Sequence, residues 1–264
     1  MSSHQPDLPS RYLLYQLAVQ APREDAALFA RWFRRATGRP LQILREDFCG
    51  TAAIACAFVA GGRGEQGGKR RAIGVDHDAP TLAWGAQHNQ SQLPASARSR
   101  VQLHCQDVHA IRTPKSDLIV ALNFSYCVFH ERTELLHYLR HCRSALRPGG
   151  AVLLDVFGGG LAHRPFSERI NRGAFVHVWE QRSFDPITHR VDCRIHFEAR
   201  GTRMENAFVY DWRMWTVPEL VDLLGEAGFK TTEVLWHDAE RGAFRRKTRA
   251  PSDPHWLAYV TGRR

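Results

Sequence analysis

The chain of 264 residues is 44% hydrophobic and 24% charged, a composition that allows one large domain or two small ones with a substantial core. No run reaches the roughly 18 apolar residues that a membrane-spanning helix needs, and the N terminus lacks the apolar stretch of a secretory leader. We therefore expect a cytoplasmic protein without a membrane segment. The net charge of +9 allows nucleic acid or an acidic substrate as a partner, although most of the arginines are scattered.

Two further features of the composition predict structure rather than chemistry. The six cysteines form no CxxC pair and mostly lie in apolar runs, which indicates reduced core thiols rather than disulfides or a zinc site. The one basic cluster contains Arg241, Arg245, Arg246, Lys247 and Arg249. We predict that it forms a solvated loop.

The first half of the chain alternates between strand-like and helical patterns. Two helices are predicted within the first forty residues, at 11–20 and 22–37. Apolar runs then recur about every 30 residues, and helical patterns lie between them. The predicted strands are 41–44, 72–75, 101–105, 118–122 and 151–157, and the predicted helices are 51–60, 79–90 and 131–146. This alternation predicts a doubly wound α/β fold with a mostly parallel sheet.

The pattern changes at Gly158. Three runs with β-favouring residues at every second position, 174–184, 190–199 and 204–212, predict an antiparallel β meander inserted as a lid at about 158–215. The three glycines at 158–160 are predicted to leave its connection mobile. A helix from Thr216 to about 227, with a capping box at its start, and two last strands at about 229–236 and 256–261 complete the chain.

The stretch REDFCGTAAIACAF (45–58) predicts a strand that ends in a tight turn and opens a helix. A pyrophosphate site needs several glycines and a positive potential at this place. This turn has only Gly50, and Glu46 and Asp47 add negative charge. It therefore suits a ligand with an ammonium group, a sulfonium cation and no phosphate, and S-adenosylmethionine (SAM) is such a ligand.

The segment from Glu46 to Ala52 resembles the first motif of the class I SAM-dependent methyltransferases, which is an acid, two variable residues and Cys-Gly-Thr-Gly. Phe48 and Ala52 depart from the family's glycines. The resemblance covers about residues 40–157 and implies a seven-stranded-type Rossmann-like sheet, SAM as cofactor and S-adenosylhomocysteine as product. It also implies cofactor contacts at Glu46, Phe48, Cys49, Gly50 and Thr51.

Further residues follow at the ends of the next strands. Asp76, with His77 beside it, ends the second strand, where a carboxylate can accept hydrogen bonds from both ribose hydroxyls; the alternative is that it only caps a turn. The resemblance implies that Asp107 takes the adenine amino group and that the amide of Val108 meets the ring. It also implies that Asn123 lines the site of methyl transfer.

Candidates for orienting an acceptor are Asn123, Tyr126 and His130. Residues 123–126 faintly resemble the Asn-Pro-Pro-Tyr motif of enzymes that methylate planar amino nitrogens, but both prolines are missing, so we do not carry over that specificity. His130 has the alternative role of capping the following helix. In related enzymes an N-terminal helix folds over SAM, which makes Tyr15 a candidate for the methionine carboxylate, with packing as the alternative.

Two patterns leave a structural alternative open. His137 and His141 have a metal-like spacing, but they lie opposite a leucine stripe, so we predict a solvated helix face and no metal site. The aromatic residues of the meander could line an acceptor pocket or form the core of the meander itself. They are Phe175, Trp179, Phe184, Phe197, Phe208, Tyr210, Trp212 and Trp215.

We therefore expect a helical cap at 1–40 and a SAM-dependent methyltransferase domain at 41–264. The expected reaction is methyl transfer by in-line displacement to nitrogen or oxygen of a small molecule, which depends mainly on positioning. One alternative is an RNA or protein methyltransferase that uses the basic surface, although no RNA-binding module is visible. The other is a SAM-binding protein without catalysis.

Overall fold

The computed structural model describes residues 9–61, 68–238 and 243–264. Most of the predicted 61–71 loop and Arg241 of the basic cluster lie outside the described residues. The helices are α1 (Arg11–Val19), α2 (Pro22–Thr37), α3 (Ala53–Ala60), α4 (Ala79–His88), α5 (Ala95–Arg98), α6 (Arg132–Ala145) and α7 (Val217–Glu226). The strands are β1 (Ile43–Asp47), β2 (Arg71–Asp76), β3 (Val101–Cys105), β4 (Ser116–Ala121), β5 (Leu146–Gly158), β6 (Phe166–Asn171), β7 (Val176–Phe184), β8 (Arg190–Ala199), β9 (Thr202–Arg213), β10 (Thr231–Asp238), β11 (Ala243–Arg246) and β12 (Trp256–Arg263).

The main sheet has eight strands in the order β11-β10-β12-β5-β4-β1-β2-β3. Strands β1 to β5 pair in parallel, and β12 runs antiparallel between β5 and β10. The order of strands reverses between β1 and β4, and in open α/β sheets a ligand binds beyond the carboxyl ends of the strands at such a switch point. The predicted doubly wound fold is confirmed.

Burial explains why these residues form this sheet. Every residue of β1 and β4 is buried, as expected for parallel strands covered on both faces. Helices α2 and α3 pack on one face, and α6 and α7 pack on the other. The insert shares the core on the α6 side, where Val191, Cys193 and Trp212 are buried.

The insert is an antiparallel sheet of four strands in the order β6-β7-β8-β9. The predicted meander has only three strands, because β6 is a mostly exposed edge strand without the alternation of a half-buried one. Close packing requires glycine at two of the positions 158–160, whereas the mobility predicted for them stays a prediction. Gly158 ends β5 against the ring of Trp256, and a side chain on Gly159 would meet the backbone of Pro254.

Three other predictions about local structure need correction. The basic 241–249 loop contains strand β11, which pairs with β10. The strand predicted at 151–157 begins at Leu146 instead, and its residues 147–150, whose types are typical of a turn, lie where its pairing with β4 is irregular. The first strand continues through Asp47, because its charged residues are buried and paired. In contrast, the capping box of Thr216 and Glu219 is confirmed.

Two results bear on the expected cellular setting. Among the described residues no helix is both long enough and apolar enough to cross a membrane. All six cysteines are free thiols, and all except Cys105 are buried, so the prediction of reduced core cysteines holds for five of the six.

Candidate active site

The loop between β1 and α3 follows a course that normally needs glycine. Phe48, Gly50 and Ala52 all have positive φ angles, 54°, 52° and 54°. The two non-glycine residues are strained in this conformation. The ring of Phe48 packs against Phe129 and Tyr138, with ring centres 6.0 and 5.9 Å away. Packing therefore maintains a glycine-like loop with only one glycine.

A buried ion pair lies directly beneath this loop. Arg45 is 1% exposed, and its Nε donates to Oδ1 of Asp47 at 2.5 Å. Its two terminal nitrogens donate to the carbonyl oxygens of Ile111 and Val108, and the Tyr138 hydroxyl donates to Asp47 at 2.9 Å. The charge of Asp47 is thus neutralised inside the protein, and the Arg45 side chain fixes the segment after β3. The sequence reasoning missed this role of Arg45.

Glu46 also points into the protein. Its buried carboxylate accepts a hydrogen bond from the amide of Ala55, near the start of α3, at 2.9 Å. Burial raises the pKa of Glu46 to about 8. The expectation that Asp47 adds negative charge at the loop is corrected, because Arg45 neutralises that charge. Glu46 holds the first turn of α3, and its cofactor contact stays a prediction.

The raised pKa of Glu46 makes stability dependent on pH. The folded state retains the proton between the ordinary pKa of 4.5 and about 8, so this contribution is largest below the lower value and disappears as pH rises through the window. We expect unfolding free energy to fall by roughly 2–3 kcal/mol between pH 5 and pH 8 through this group. Glu46→Gln should remove that part of the slope in urea titrations, whereas Glu24→Gln, an exposed control on α2, should not. If unfolding free energy depends on pH equally in wild type, Glu46→Gln and Glu24→Gln, Glu46 is not the group responsible.

The other motif side chains are also used within the protein. Cys49 is buried, and its sulfur lies against Gly74. The Thr51 hydroxyl donates to Oε1 of Gln16 on α1 at 2.7 Å. The side-chain amide of Asn89 donates both to that Gln16 oxygen and to the Thr51 carbonyl, at 2.8 Å each. These bonds seat α1 across the loop through Gln16, in the position predicted for an N-terminal helix.

Asp76 connects the two loops at the switch point. Its Oδ2 accepts the Gly50 amide at 2.8 Å, and its Oδ1 accepts the Asp78 amide at 2.9 Å. The side chain remains partly exposed, and His77 next to it is exposed. Each carboxylate oxygen has a second lone pair, so Asp76 can accept further hydrogen bonds while it holds the loops.

Asp107 lies on the surface beyond β3. Its side chain is 72% exposed, and its Oδ1 accepts both the amide and Nδ1 of His109 at 2.7 Å. The His109 amide is the main cause that lowers the pKa of Asp107, so this carboxylate is ionised at neutral pH. Val108 is buried, and Arg45 holds its carbonyl oxygen. Asp107 therefore offers a fixed negative acceptor at the sheet edge.

The segment 123–130 is held at both ends. At its start, the buried carboxylate of Asp155 accepts the amides of Asn123 at 2.6 Å and Phe124 at 3.0 Å, and both residues have positive φ angles. Burial raises the pKa of Asp155 to about 7. At its end, the Trp215 indole donates to the Phe129 carbonyl at 3.2 Å. Asn123 itself remains partly exposed.

The structure corrects the assignment of Tyr126 and locates His130. Tyr126 is fully buried, and its hydroxyl donates to the Asp155 carbonyl at 2.7 Å, so it cannot contact an acceptor. His130 does not cap α6, where Glu131 and Glu134 form the capping box. Its Nε2 lies 2.8 Å from the Asp211 carbonyl of β9, so His130 ties this segment to the insert.

Aromatic residues of the insert face this segment. Tyr210 stacks on Trp212 at 4.3 Å, and Trp179 lies about 6 Å from both. Phe124 lies 6.2 Å from Trp212. Tyr15 of α1 contacts Phe208 at 4.8 Å and has its hydroxyl beside that of Tyr210, and burial raises the pKa of both hydroxyls. We call Trp179, Tyr210 and Trp212 the aromatic wall.

The histidines of α6 have different environments. His137 is exposed and stacks on His109 at 4.9 Å. His141 is buried, with Nε2 2.8 Å from the Ile111 carbonyl, so its predicted solvated position is wrong. Burial lowers the pKa of His141 to about 4. Within the described ranges no group of three or more acidic, histidine or cysteine residues could hold a metal ion.

The chain has the class I SAM-dependent methyltransferase fold. Similar solved structures include a SAM-dependent methyltransferase from Clostridium acetobutylicum (15% identity, 94% of this chain and 96% of that chain, TM-score 0.68). Others are a SAM-bound amino pentose methyltransferase from Micromonospora echinaspora (16%, 98% and 100%, TM-score 0.66) and a sugar N-methyltransferase from Streptoalloteichus sp. (18%, 100% and 97%, TM-score 0.62). No protein-family model matches the sequence, and no curated protein does.

Proposed function

We propose that the protein is a SAM-dependent methyltransferase that acts on nitrogen or oxygen of a small-molecule acceptor. The observation that carries this proposal is the meeting of four features at one sheet edge. They are the left-handed loop 48–52, the carboxylate of Asp76, the exposed carboxylate of Asp107 and the braced segment that begins at Asn123. The three solved structures named above are methyltransferases whose alignments cover 94–100% of this chain, which supports the proposal.

The residues at this edge fit SAM better than a dinucleotide. Asp76 retains lone pairs for ribose hydroxyls, and Asp107 can accept from the adenine amino group beside the Val108 backbone. His77 adjoins the ribose position, and the backbone of Phe48, Cys49, Gly50 and Thr51 lines the amino acid end. The loop has a single glycine, and no arginine or lysine is among these residues, which disfavours a pyrophosphate.

SAM supplies a methyl group on a positively charged sulfur, and the protein has to align an acceptor with that bond and exclude water. In this proposal the helices within 1–40 cover the cofactor through Gln16, residues 41–264 form the catalytic domain, and the insert at 158–215 closes the acceptor side. Asn123 lines the transfer position. His130 fixes its segment, and Tyr15 contributes to the acceptor side rather than to the methionine carboxylate. The six free thiols support a cytoplasmic location.

Replacing Asp76 tests its role in SAM binding, because the change removes the acceptor for the ribose hydroxyls together with the acceptor of the Gly50 amide. We expect Asp76→Ala to weaken SAM binding by roughly 1.5–3 kcal/mol, since hydrogen bonds to a charged acceptor are lost. Asp78→Ala is the matched control, because it removes the α4 cap at Thr81 and about 1 kcal/mol of stability without a proposed ligand contact. Calorimetry should show weaker SAM binding only for Asp76→Ala. Equal SAM affinities in both variants would leave Asp76 as a turn residue.

A transfer assay tests the function directly. Purified protein is incubated with methyl-labelled SAM and, in parallel, with amines and hydroxyl compounds of low molecular weight, with total RNA and with peptides. We expect label in the small-molecule fraction. Transfer to RNA that weakens steeply with salt would favour the alternative with an RNA acceptor. Tight SAM binding without any transfer would favour a non-catalytic SAM-binding protein.

A further inference from the structure

The inner face of strand β7 carries an unusual row of side chains. His177, Trp179 and Gln181 alternate along the strand and pair with Phe197, Ile195 and Cys193 of β8, so all three lie on the face that packs toward α1 and the main sheet. His177 is 6% exposed and Gln181 is 1% exposed. Trp179, between them, is only half-buried and belongs to the aromatic wall.

Gln181 presents an oxygen that has no hydrogen-bond partner. Its amide nitrogen donates to the carbonyl oxygens of Ala162 at 2.8 Å and Arg164 at 3.0 Å. Two acceptors on the nitrogen fix the orientation of the amide. The buried Oε1 then accepts no hydrogen bond from any residue in the described ranges. It is a fixed acceptor that can receive an N–H or O–H group.

His177 presents two unpartnered nitrogens. Neither Nδ1 nor Nε2 has a partner in the part of the chain that the structure describes. Burial, with the nearby positive charge of Arg172, lowers the pKa of His177 to about 4, so the ring is neutral at physiological pH. A neutral imidazole has one donor and one acceptor, and a hydroxyl group can satisfy either of them.

Orphaned polar atoms inside a protein are costly and therefore informative. Each buried, unsatisfied polar group costs about 1–3 kcal/mol, and nearly all such groups in folded proteins have a partner. Here three such atoms, two on His177 and one on Gln181, lie at positions i and i+4 of one strand, on either side of Trp179 at i+2. His196 of β8 is the contrast, because it points to the opposite face and has Glu180 and Glu205 on its two nitrogens.

We propose that this row binds the acceptor, and that the acceptor is a hydroxylated ring such as an aminated or otherwise nucleophilic sugar. The assignment rests on the proposed methyltransferase function. The ring lies against Trp179, with hydroxyls on Gln181 Oε1 and on the two nitrogens of His177. The ring of Trp179 contacts that of Trp212, and Trp212 contacts Phe124, next to Asn123 at the proposed transfer position. The row on β7 is thus connected to the transfer position through Trp212. A site built for hydroxyl groups rejects analogues that lack them.

The test uses two kinds of probe that share an amine on a six-membered ring, one with hydroxyl groups and one without them. One is the set of positional isomers of methyl aminodeoxy-glucopyranoside, and the other is cyclohexylamine, which has an amine on a ring of the same size. Binding in the presence of S-adenosylhomocysteine and transfer from SAM are measured for each probe. We expect at least one amino sugar to be preferred over cyclohexylamine by more than tenfold, and His177→Leu to reduce that preference about tenfold, equivalent to one hydrogen bond.

Two controls make the result decisive. His177→Leu should keep or raise the melting temperature, since it removes two orphaned atoms, whereas His196→Leu should lower it and leave the preference for the amino sugar unchanged. Equal use of both probes, a preference that survives His177→Leu, or no use of any amino sugar would overturn the assignment. Binding of S-adenosylhomocysteine in the same titrations shows whether the proposed methyltransferase function survives such a failure.

Discussion

Arg45→Met is expected to destabilise the protein by about 3–5 kcal/mol, the usual cost of leaving one partner of a buried ion pair uncompensated. Asp47 would retain the Tyr138 hydroxyl and the Cys142 thiol. The carbonyl oxygens of Val108 and Ile111 would lose the Arg45 guanidinium, although His141 Nε2 still lies beside that of Ile111. Urea denaturation measures the loss. Because Arg45 also anchors the segment that carries Asp107, protein that remains folded should bind SAM more weakly.

The double variant Arg45→Met/Asp47→Leu is the matched control. Replacement of both partners of a buried pair by apolar residues is often neutral or stabilising, so the double variant should recover most of the stability lost in Arg45→Met. It should not recover SAM affinity, since the carbonyl oxygens of Val108 and Ile111 still lack the Arg45 guanidinium that holds their segment. If the single variant is as stable as wild type, the ion pair does not hold this edge together.

Asp155→Ala is expected to reduce methyl transfer about 100-fold while SAM affinity changes less than tenfold. Asp155 accepts the amides of Asn123 and Phe124 in their left-handed conformation. Without it the segment that presents the acceptor shifts, and a displacement of about 1 Å can cost a factor of about 100. The two orphaned amides should also lower stability by roughly 2–4 kcal/mol.

Asp155→Asn is the intermediate variant, because its one side-chain oxygen can still accept one of the two amides, of Asn123 or of Phe124. Its transfer rate and melting temperature should lie between those of wild type and Asp155→Ala. Single-turnover rates with saturating SAM isolate the transfer step from cofactor binding. A full rate in Asp155→Ala, with SAM affinity retained, would show that this segment does not position the acceptor.

Most of the fold could be predicted from the sequence, because buried parallel strands and amphipathic helices have clear periodic patterns. The Thr216 capping box depends on local residues and is confirmed. Strand β6 was missed because an exposed edge strand does not need alternating apolar residues. The ends of strands were predicted less well wherever a charged residue such as Arg45 is buried.

The side-chain roles at the site were harder to predict, because they depend on partners far away in the chain. Arg45 donates to the carbonyl oxygens of Val108 and Ile111, more than sixty residues later in the chain. No local sequence pattern predicts that contact. Phe48 adopts a glycine-like conformation because Phe129 and Tyr138 hold its ring. Tyr126 turns inward because the left-handed residues Asn123 and Phe124 precede it. The orphaned atoms of His177 and Gln181 follow from burial, which their residue types do not predict.

Isothermal titration of the purified chain with SAM and, separately, with NAD tests the central claim that this sheet edge is a SAM site. We expect SAM to bind at one site per chain with micromolar affinity, equivalent to about 8 kcal/mol, and NAD to give no binding heat. The reasons are the single glycine of the loop and the lack of an arginine or lysine among the residues proposed to line the site, which disfavour a pyrophosphate. Binding of NAD without binding of SAM would contradict the claim.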